Sequence, residues 1–466
     1  MLRAFFGLVL RIFFRRLEIH GAQKLPATGP AVVVLNHPSG LIDPLFVLAL
    51  LPRPASFLAK APLFRIPVVS FFVRALDSIP VFRKQDGADT AQNRKTFEAA
   101  RAVLARGGVL ALFPEGTSHD EPHLLPLKTG AARIALGAAA SLDKLGMSAD
   151  KVEVREPLRI VPAGLTFADK TRFRSDALLR FGEPFAVEPM ALGEDAEPPA
   201  EAVRALTRKI EEGLGQVVLQ AEQDEALQLV ARAERIFLAP EPGTPALSTQ
   251  FDVRRGLLDG WAKLQKLDPA RAEAVVRRIT RYESVLEQTG LDPGLLDAKY
   301  FRAANVATFS AKAFAWLFLL LPLAVVGTVL HALTWTLVDV VARRSAKDDL
   351  AVLATLKVLA GLLFYPLTWL ALGIVAGKLV SLPAGFALPA LAIASGWAAL
   401  RFFERLDMVV GGARALGLFV FRRRAFLRMA RERDDLRKLL VDLASELERA
   451  GAPSTGTPAE QPEEER

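Results

Sequence analysis

Cysteine is absent from the 466 residues, which excludes disulfides, thiol nucleophiles and thiolate metal sites and leaves the redox compartment open. Tyrosine is scarce, at three residues, and histidine is held to five. No helix-turn-helix, zinc-ligand or RNA-binding signature occurs, so nucleic acid is not an expected partner. A GxSxG elbow, a Walker loop and a dinucleotide fingerprint are also missing, so the chemistry has to come from other residues. No internal repeat is present.

Basic and apolar residues are plentiful. The net charge of +8 favours anionic partners, namely a membrane surface or phosphorylated substrates. Apolar residues make up 51 % and the mean hydropathy is +0.26, high for a soluble protein. The excess lies in three stretches, at about residues 313–341, 353–377 and 379–400. Each is long enough to span a hydrocarbon core of ~30 Å at ~1.5 Å per residue. Basic residues follow the first stretch (Arg343, Arg344, Lys347) and the third (Arg401, Arg405, then Arg422, Arg423 and Arg424). With both clusters on the cytoplasmic face, the second and third stretches form a transmembrane hairpin. The first then returns to its own side, re-entrant or interfacial, bent near Pro322 and Gly327.

At the N-terminus, arginines 3, 11, 15 and 16 interrupt an apolar run. That pattern predicts an amphipathic helix over residues 1–20 in the membrane interface, its arginines toward lipid phosphates; an amphipathic core helix is the other reading. An α/β domain is expected over 21–198, because short apolar runs alternate with helical patterns. AVVVL (31–35), SFLA (56–59), SIPVF (78–82), VLALF (109–113), LRIVPAGLTF (158–167) and ALLRFGEPF (177–185) read as strands of a largely buried sheet flanked by helices. A charged helical region follows over 199–312, with a Pro/Gly-rich linker at 239–248. After the transmembrane region (313–401) come a basic helical segment (402–450), with apolar spacing suited to partner packing, and a tail (451–466) of disordered composition.

Three strand-end loops carry candidate chemistry. NHPSGLIDP (36–44) holds His37 and Asp43: an imidazole can take a hydroxyl proton if a carboxylate fixes its tautomer. Equally, Asp43 can cap the next helix and His37 can be a turn residue. SIPVFRK (78–84) ends in Arg83, a bidentate phosphate ligand by type. LFPEGTSH (112–119) offers Gly116, Thr117 and backbone amides as an anion nest, with Lys128 before the next helix. His119 and His123 stand four apart, but Pro122 and the acidic residues between them argue for a loop rather than a metal site. Together the loops describe a pocket that binds a phosphate and deprotonates a hydroxyl.

These residues resemble the glycerolipid acyltransferase superfamily. Its first block is Asn-His, four residues, then Asp; here five intervene. SIPVFR resembles the second block, with Asp77 where glycine is usual and Arg83 at the phosphate-binding arginine. FPEGTSH resembles the third, with Ser118 for the common arginine. IVPAGL (160–165) resembles the fourth, with Pro162 at the proline near the acyl site. The set covers about residues 21–189. The five-residue gap, the segment TQFDVRRGLLDGWAKL (249–264) and the C-terminal spans resemble the fungal-type glycerol-3-phosphate and dihydroxyacetone-phosphate acyltransferases. The resemblance implies an O-acyltransferase with His37 as general base, oriented by Asp43. Arg83, Gly116, Thr117 and Lys128 would bind the acceptor phosphate, with Lys60 as a further cation. Glu115 would orient its loop or contact the acceptor, and Pro162 would lie near the acyl group. No metal or redox cofactor is implied, and an acyl-CoA or acyl carrier protein thioester is the co-substrate. Expected partners are membrane lipids and a glycerol-phosphate acceptor, with the catalytic domain on the cytoplasmic face of a membrane.

Overall fold

A computed structural model describes residues 2–65, 70, 73–74, 77–82, 93–147, 156–193, 197–238, 245–296, 303–347 and 350–451. The short apolar runs pair into one eight-stranded sheet of β1 (Phe14–His20), β2 (Ala31–Leu35), β3 (Ala55–Lys60), β4 (Ile79–Val81), β5 (Val109–Leu112), β6 (Arg159–Phe167), β7 (Ser175–Phe181) and β8 (Phe185–Ala186). The order is β1-β7-β6-β2-β5-β3-β4, and β8 also pairs with β6. From β6 to β4 the pairings are parallel; β7 and β8 run antiparallel to β6, and β1 runs parallel to β7.

Strand β2 shows why the central runs are uniformly apolar. Val32 and Val34 enter one core with Ala100 and Leu104 of α3 (Asn93–Ala105), Ile134 and Ala135 of α4 (Gly130–Met147) and Ile210 and Leu214 of α5 (Ala200–Gly215). Ala31, Val33 and Leu35 enter the other, with Leu10 and Phe13 of α1 (Leu2–Phe13) and Phe46 and Val47 of α2 (Ile42–Leu50). Both faces of the sheet are covered, so no alternation with polar residues survives. Each buried Val or Leu contributes roughly 1.5–3 kcal/mol, so a one-residue slip, which exchanges the two faces, is strongly disfavoured.

The helix expected over residues 1–20 stops at Phe13, and residues 14–20 are the edge strand β1. Arg15 and Arg16 both hydrogen-bond the Asp176 carboxylate on β7, at 3.0–3.2 Å. Phe6, Leu10 and Phe13 are buried, while Phe5, Leu8 and Ile12 form an exposed apolar stripe. Helix α5 belongs with the sheet, since Val203, Leu206, Ile210 and Leu214 pack into its core. The α/β fold therefore extends at both ends past the expected limits of 21 and 198.

The compact unit that contains the sheet also takes in residues 246–251 and 318–402. A second unit comprises residues 225–245, 252–317 and 403–466. Its helices include α6 (Asp224–Leu238), most of α7 (Leu247–Leu267) and α8 (Pro269–Thr289). Asp268 caps α8 by accepting from the Arg271 amide, and Gly290 closes it at φ 62°. The apolar spacing of the basic C-terminal helix α12 (Arg423–Gly451) finds its partner in this unit: Phe426, Met429, Leu436, Leu443 and Leu447 cluster with Val275, Ile279 and Leu286 of α8.

Among the described residues, three helices are long and apolar enough to cross a membrane, within α9 (Ala303–Ala346), α10 (Leu350–Leu379) and α11 (Leu382–Phe421). Helix α9 runs as one continuous helix through Pro322 and Gly327. Gly327 serves close packing: a Cβ on it would lie 2.1 Å from the Ser395 carbonyl oxygen of α11. Helix α11 also outlasts the expected limit near Leu400, carrying Arg401 and Arg405 within it.

Candidate active site

Parallel strands bring their carboxyl ends to one edge, where open α/β sheets place reactive loops. β2 delivers Asn36 and His37 there, and β5 delivers the 113–119 turn. β3 brings Lys60, and β6 leads into the loop containing Lys170. Arg83, past the end of β4, lies outside the described residues.

Asn36 fixes the departure from β2. It donates to the Leu165 carbonyl at 3.0 Å and accepts from the Leu165 amide at 2.7 Å, which ties the loop to β6. His37 Nδ1 then meets Asp43 Oδ2 at 2.8 Å, and the Ser39 amide donates to the same oxygen at 2.7 Å. The fifth intervening residue is absorbed at Gly40, whose φ of 46° is left-handed. Asp43 lies inside the first turn of α2 and makes no side-chain cap at its N-terminus; its partners are His37 and the Ser39 amide. The His37 ring stacks on Phe113, with centroids 4.1 Å apart and planes at 12°. The side chain is 17 % exposed while Asp43 is fully buried. Nδ1–H faces the carboxylate, and Nε2 is left as the basic nitrogen. Burial pushes the Asp43 carboxyl above the usual range, against the opposing pull of His37, the Ser39 amide and Lys170.

Glu115 builds the opposite wall. One oxygen accepts from the His37 amide at 2.9 Å; the other accepts from the Leu125 amide at 2.9 Å and from the His119 ring. The carboxylate is buried and both of its oxygens accept hydrogen bonds from the surrounding loops. His119 carries the opposite tautomer to His37: its Nδ1 accepts from the Glu121 amide, so Nε2–H donates to Glu115. Both ring nitrogens are committed, which removes His119 from any metal pair with His123.

Gly116 adopts φ 74° and its amide donates to the Phe113 carbonyl at 3.0 Å, closing the turn. Thr117 is exposed, with its hydroxyl 3.4 Å from the Ser118 carbonyl. Lys128 is held beside the turn by its amide on Pro114 O at 2.7 Å, and its stem passes over Gly116. Lys60 is exposed at the end of β3. Pro162 is buried in mid-β6, where a Cβ on Gly213 of α5 would lie 2.7 Å from its ring. It packs the sheet against α5.

Two residues not singled out in the sequence also reach this loop. Lys170 donates to the Pro38 carbonyl at 3.0 Å and pairs with Asp120. Thr355 of α10 accepts from the Leu41 amide at 3.0 Å and donates to the Ser39 carbonyl at 3.3 Å. Position after a buried strand was a usable signal for Lys170. For Thr355 the only signal was a hydroxyl in an apolar helix.

A family model described as Acyltransferase matches residues 16–165. Glycerol-3-phosphate O-acyltransferase 2 of Saccharomyces cerevisiae is 27 % identical over 60 % of this chain and 38 % of its own length. Glycerol-3-phosphate O-acyltransferase 1 of the same organism is 24 % identical over 78 % of this chain and 59 % of its own. The chain thus spans between about two fifths and three fifths of these relatives. A crystal structure of the 1-acyl-sn-glycerophosphate acyltransferase PlsC from Thermotoga maritima aligns with 46 % of this chain and 77 % of that one, at 19 % identity and a TM-score of 0.32. The matched region begins inside β1 and ends inside β6, and so takes in His37, Asp43 and the Glu115 turn. Residues 16–165 are thus similar to the acyltransferase family, and the long matches are to glycerol-3-phosphate O-acyltransferases of Saccharomyces cerevisiae.

Proposed function

We propose that this chain is a membrane-bound O-acyltransferase of phospholipid biosynthesis. It moves a fatty acyl group from an acyl thioester, acyl-CoA or acyl carrier protein, to a hydroxyl of glycerol-3-phosphate or 1-acylglycerol-3-phosphate. The observation that carries the reading is the His37–Asp43 pair at 2.8 Å on the carboxyl edge of a parallel sheet, which leaves Nε2 without a hydrogen-bond partner among the described residues. Nε2 takes the acceptor's hydroxyl proton while Asp43 stabilises the imidazolium. The oxygen attacks the thioester carbonyl directly, and the imidazolium returns its proton to the departing thiolate. With no cysteine in the chain, an acyl-cysteine intermediate is excluded. Lys128, Lys60, Thr117 and Arg83 supply the charge and donors for the acceptor phosphate, and no metal or redox cofactor enters the reaction. The exposed stripe on α1 and the three apolar helices keep the site where acyl chains partition.

His37→Ala tests the reading, because loss of a general base costs ~10²–10⁴-fold in rate. The purified full-length variant should lose thioester-dependent acylation while its melting transition stays in place. An unchanged rate makes His37 a structural residue and leaves a lipid-binding scaffold as the better description. Trying glycerol-3-phosphate, lysophosphatidate and other lysophospholipids side by side, with acyl-CoA and acyl carrier protein as donors, fixes acceptor and donor together.

A further inference from the structure

We infer that Thr355, on an apolar helix more than three hundred residues downstream, is a positioning residue for the His37–Asp43 pair. Its single hydroxyl clamps the peptides on either side of Gly40. It accepts from the Leu41 amide at 3.0 Å and donates to the Ser39 carbonyl at 3.3 Å. Between those peptides lies the left-handed turn that lets Asp43 reach His37 across five residues. The next peptide unit back supplies the Ser39 amide, which holds Asp43 Oδ2. A hydroxyl that fixes both Ser39 O and Leu41 N therefore fixes the geometry of the carboxylate that orients the base.

The clamp rests on a packed helix. Ala354 and Val358, four apart on α10, are buried in the same core as Val33, Leu35 and Phe46, and Leu362 packs against it. Lys357 adds a second attachment: its ammonium donates to the Thr171 carbonyl at 2.9 Å and pairs with Asp339 of α9. Thr171 follows Lys170, which holds the Pro38 carbonyl. Two attachments from one turn of α10 thus converge on residues 38–41. Thr355 is itself only 6 % exposed, so water cannot replace its hydroxyl. Removing the hydroxyl deprives the Leu41 amide of its acceptor and leaves the Ser39 carbonyl with the Ile42 amide alone, which loosens the hold on the loop. The helix that enters the membrane is on this view part of the active site as well as an anchor.

The test uses the full-length protein in lipid nanodiscs. Thr355→Val keeps the shape and removes the hydroxyl, Thr355→Ala removes it without adding bulk, and Thr355→Ser keeps it. Displacement of a catalytic group by ~1 Å costs on the order of 10²-fold, so Val and Ala should lower kcat by roughly 10–100-fold with a smaller change in KM. Ser should remain near wild type. The rate readout rests on the proposed reaction, so a second readout avoids it. With ¹⁵N-histidine labelling there are five imidazoles to resolve, and His37 is assigned by loss of its signal in His37→Gln. Its Asp43-bound Nδ1–H should be lost or exchange faster in Val and Ala, and persist in Ser. An intact His37 signal and rate in either hydroxyl-free variant overturns the clamp, as does a Ser variant that behaves like Val. A wild-type protein that acylates no glycerol-phosphate acceptor defeats the proposed reaction, and the imidazole signal still decides the clamp.

Discussion

Asp43 sits in conflict with its surroundings. Burial raises its pKa, while His37 Nδ1 and the Ser39 amide meet only one of its oxygens; Oδ1 has no partner among the described residues. A carboxyl whose folded pKa is raised contributes stability below its unfolded pKa of ~3.9 and loses it as pH rises through the folded value. Ionising the group is therefore a cost that the fold carries. Asp43→Asn should melt no lower than wild type at pH 7, with the difference vanishing toward pH 4, while its rate falls ~10²–10⁴-fold. A variant that melts well below wild type at neutral pH would show the carboxylate to be stabilising. Glu115 predicts the opposite. Its oxygens receive two amides and an imidazole N–H, and Glu115→Gln would turn one acceptor toward them as a donor. That variant should lose ~1–3 kcal/mol or more, read as a lowered denaturation midpoint. The sequence located His37, Asp43 and Glu115, because chemistry-bearing residues after apolar strands stand out. It left the role of Glu115 open, since which amides a carboxylate meets depends on residues ten to eighty positions away.

At the scale of elements, the parallel core was legible and the first edge strand was not. β2 and β5 announce themselves as short, wholly apolar runs. β1 reads FRRLEIH directly after an amphipathic helix, and its charges fit a helical face as readily as a strand. What decides is distant: Asp176 on β7 gathers Arg15 and Arg16, and the Leu247 and Ser248 amides and the Ser248 hydroxyl at the start of α7 meet Glu18. Burial pushes the Asp176 carboxyl up, but the hydrogen bonds and charges of the two arginines outweigh it, so its net shift is downward. A lowered carboxyl contributes stability above its unfolded pKa and loses it as pH falls through the folded value. The β1 edge should therefore loosen below about pH 4 in wild type. Asp176→Asn should lack this support already at neutral pH. Amide exchange at Leu17–His20 is the measurement: faster exchange at pH 7 in the variant, with a weaker acid dependence than in wild type. Equal protection in both at pH 7 would mean that backbone pairing alone holds the edge.

For the molecule as a whole, the open relation is between the catalytic edge and the membrane. Hydropathy located three long apolar helices, but it carries no information on which of them touches the α/β fold; that depends on Ala354, Thr355 and Lys357, which look like ordinary span residues. With that end of α10 fixed at the site, exposed apolar side chains continue from Leu359 through Leu363, Leu367 and Leu370 to Leu379. At ~1.5 Å per residue this reach matches a hydrocarbon core of ~30 Å. The turn at Val380 and Ser381 should then emerge on the face opposite His37, with the catalytic side expected in the cytoplasm from the positions of the basic residues. The cysteine-free chain is a ready background for the test. Glu121→Cys, beside His119 on an exposed loop, and Ser381→Cys, at the exposed turn, are each expressed alone. An impermeant maleimide should label Glu121→Cys in inside-out vesicles and Ser381→Cys in right-side-out ones. If both react from the same side, α10 and α11 dip into one leaflet and return. The active site would then rest on a monotopic anchor, still held by Thr355 but with no segment of α10 across the bilayer.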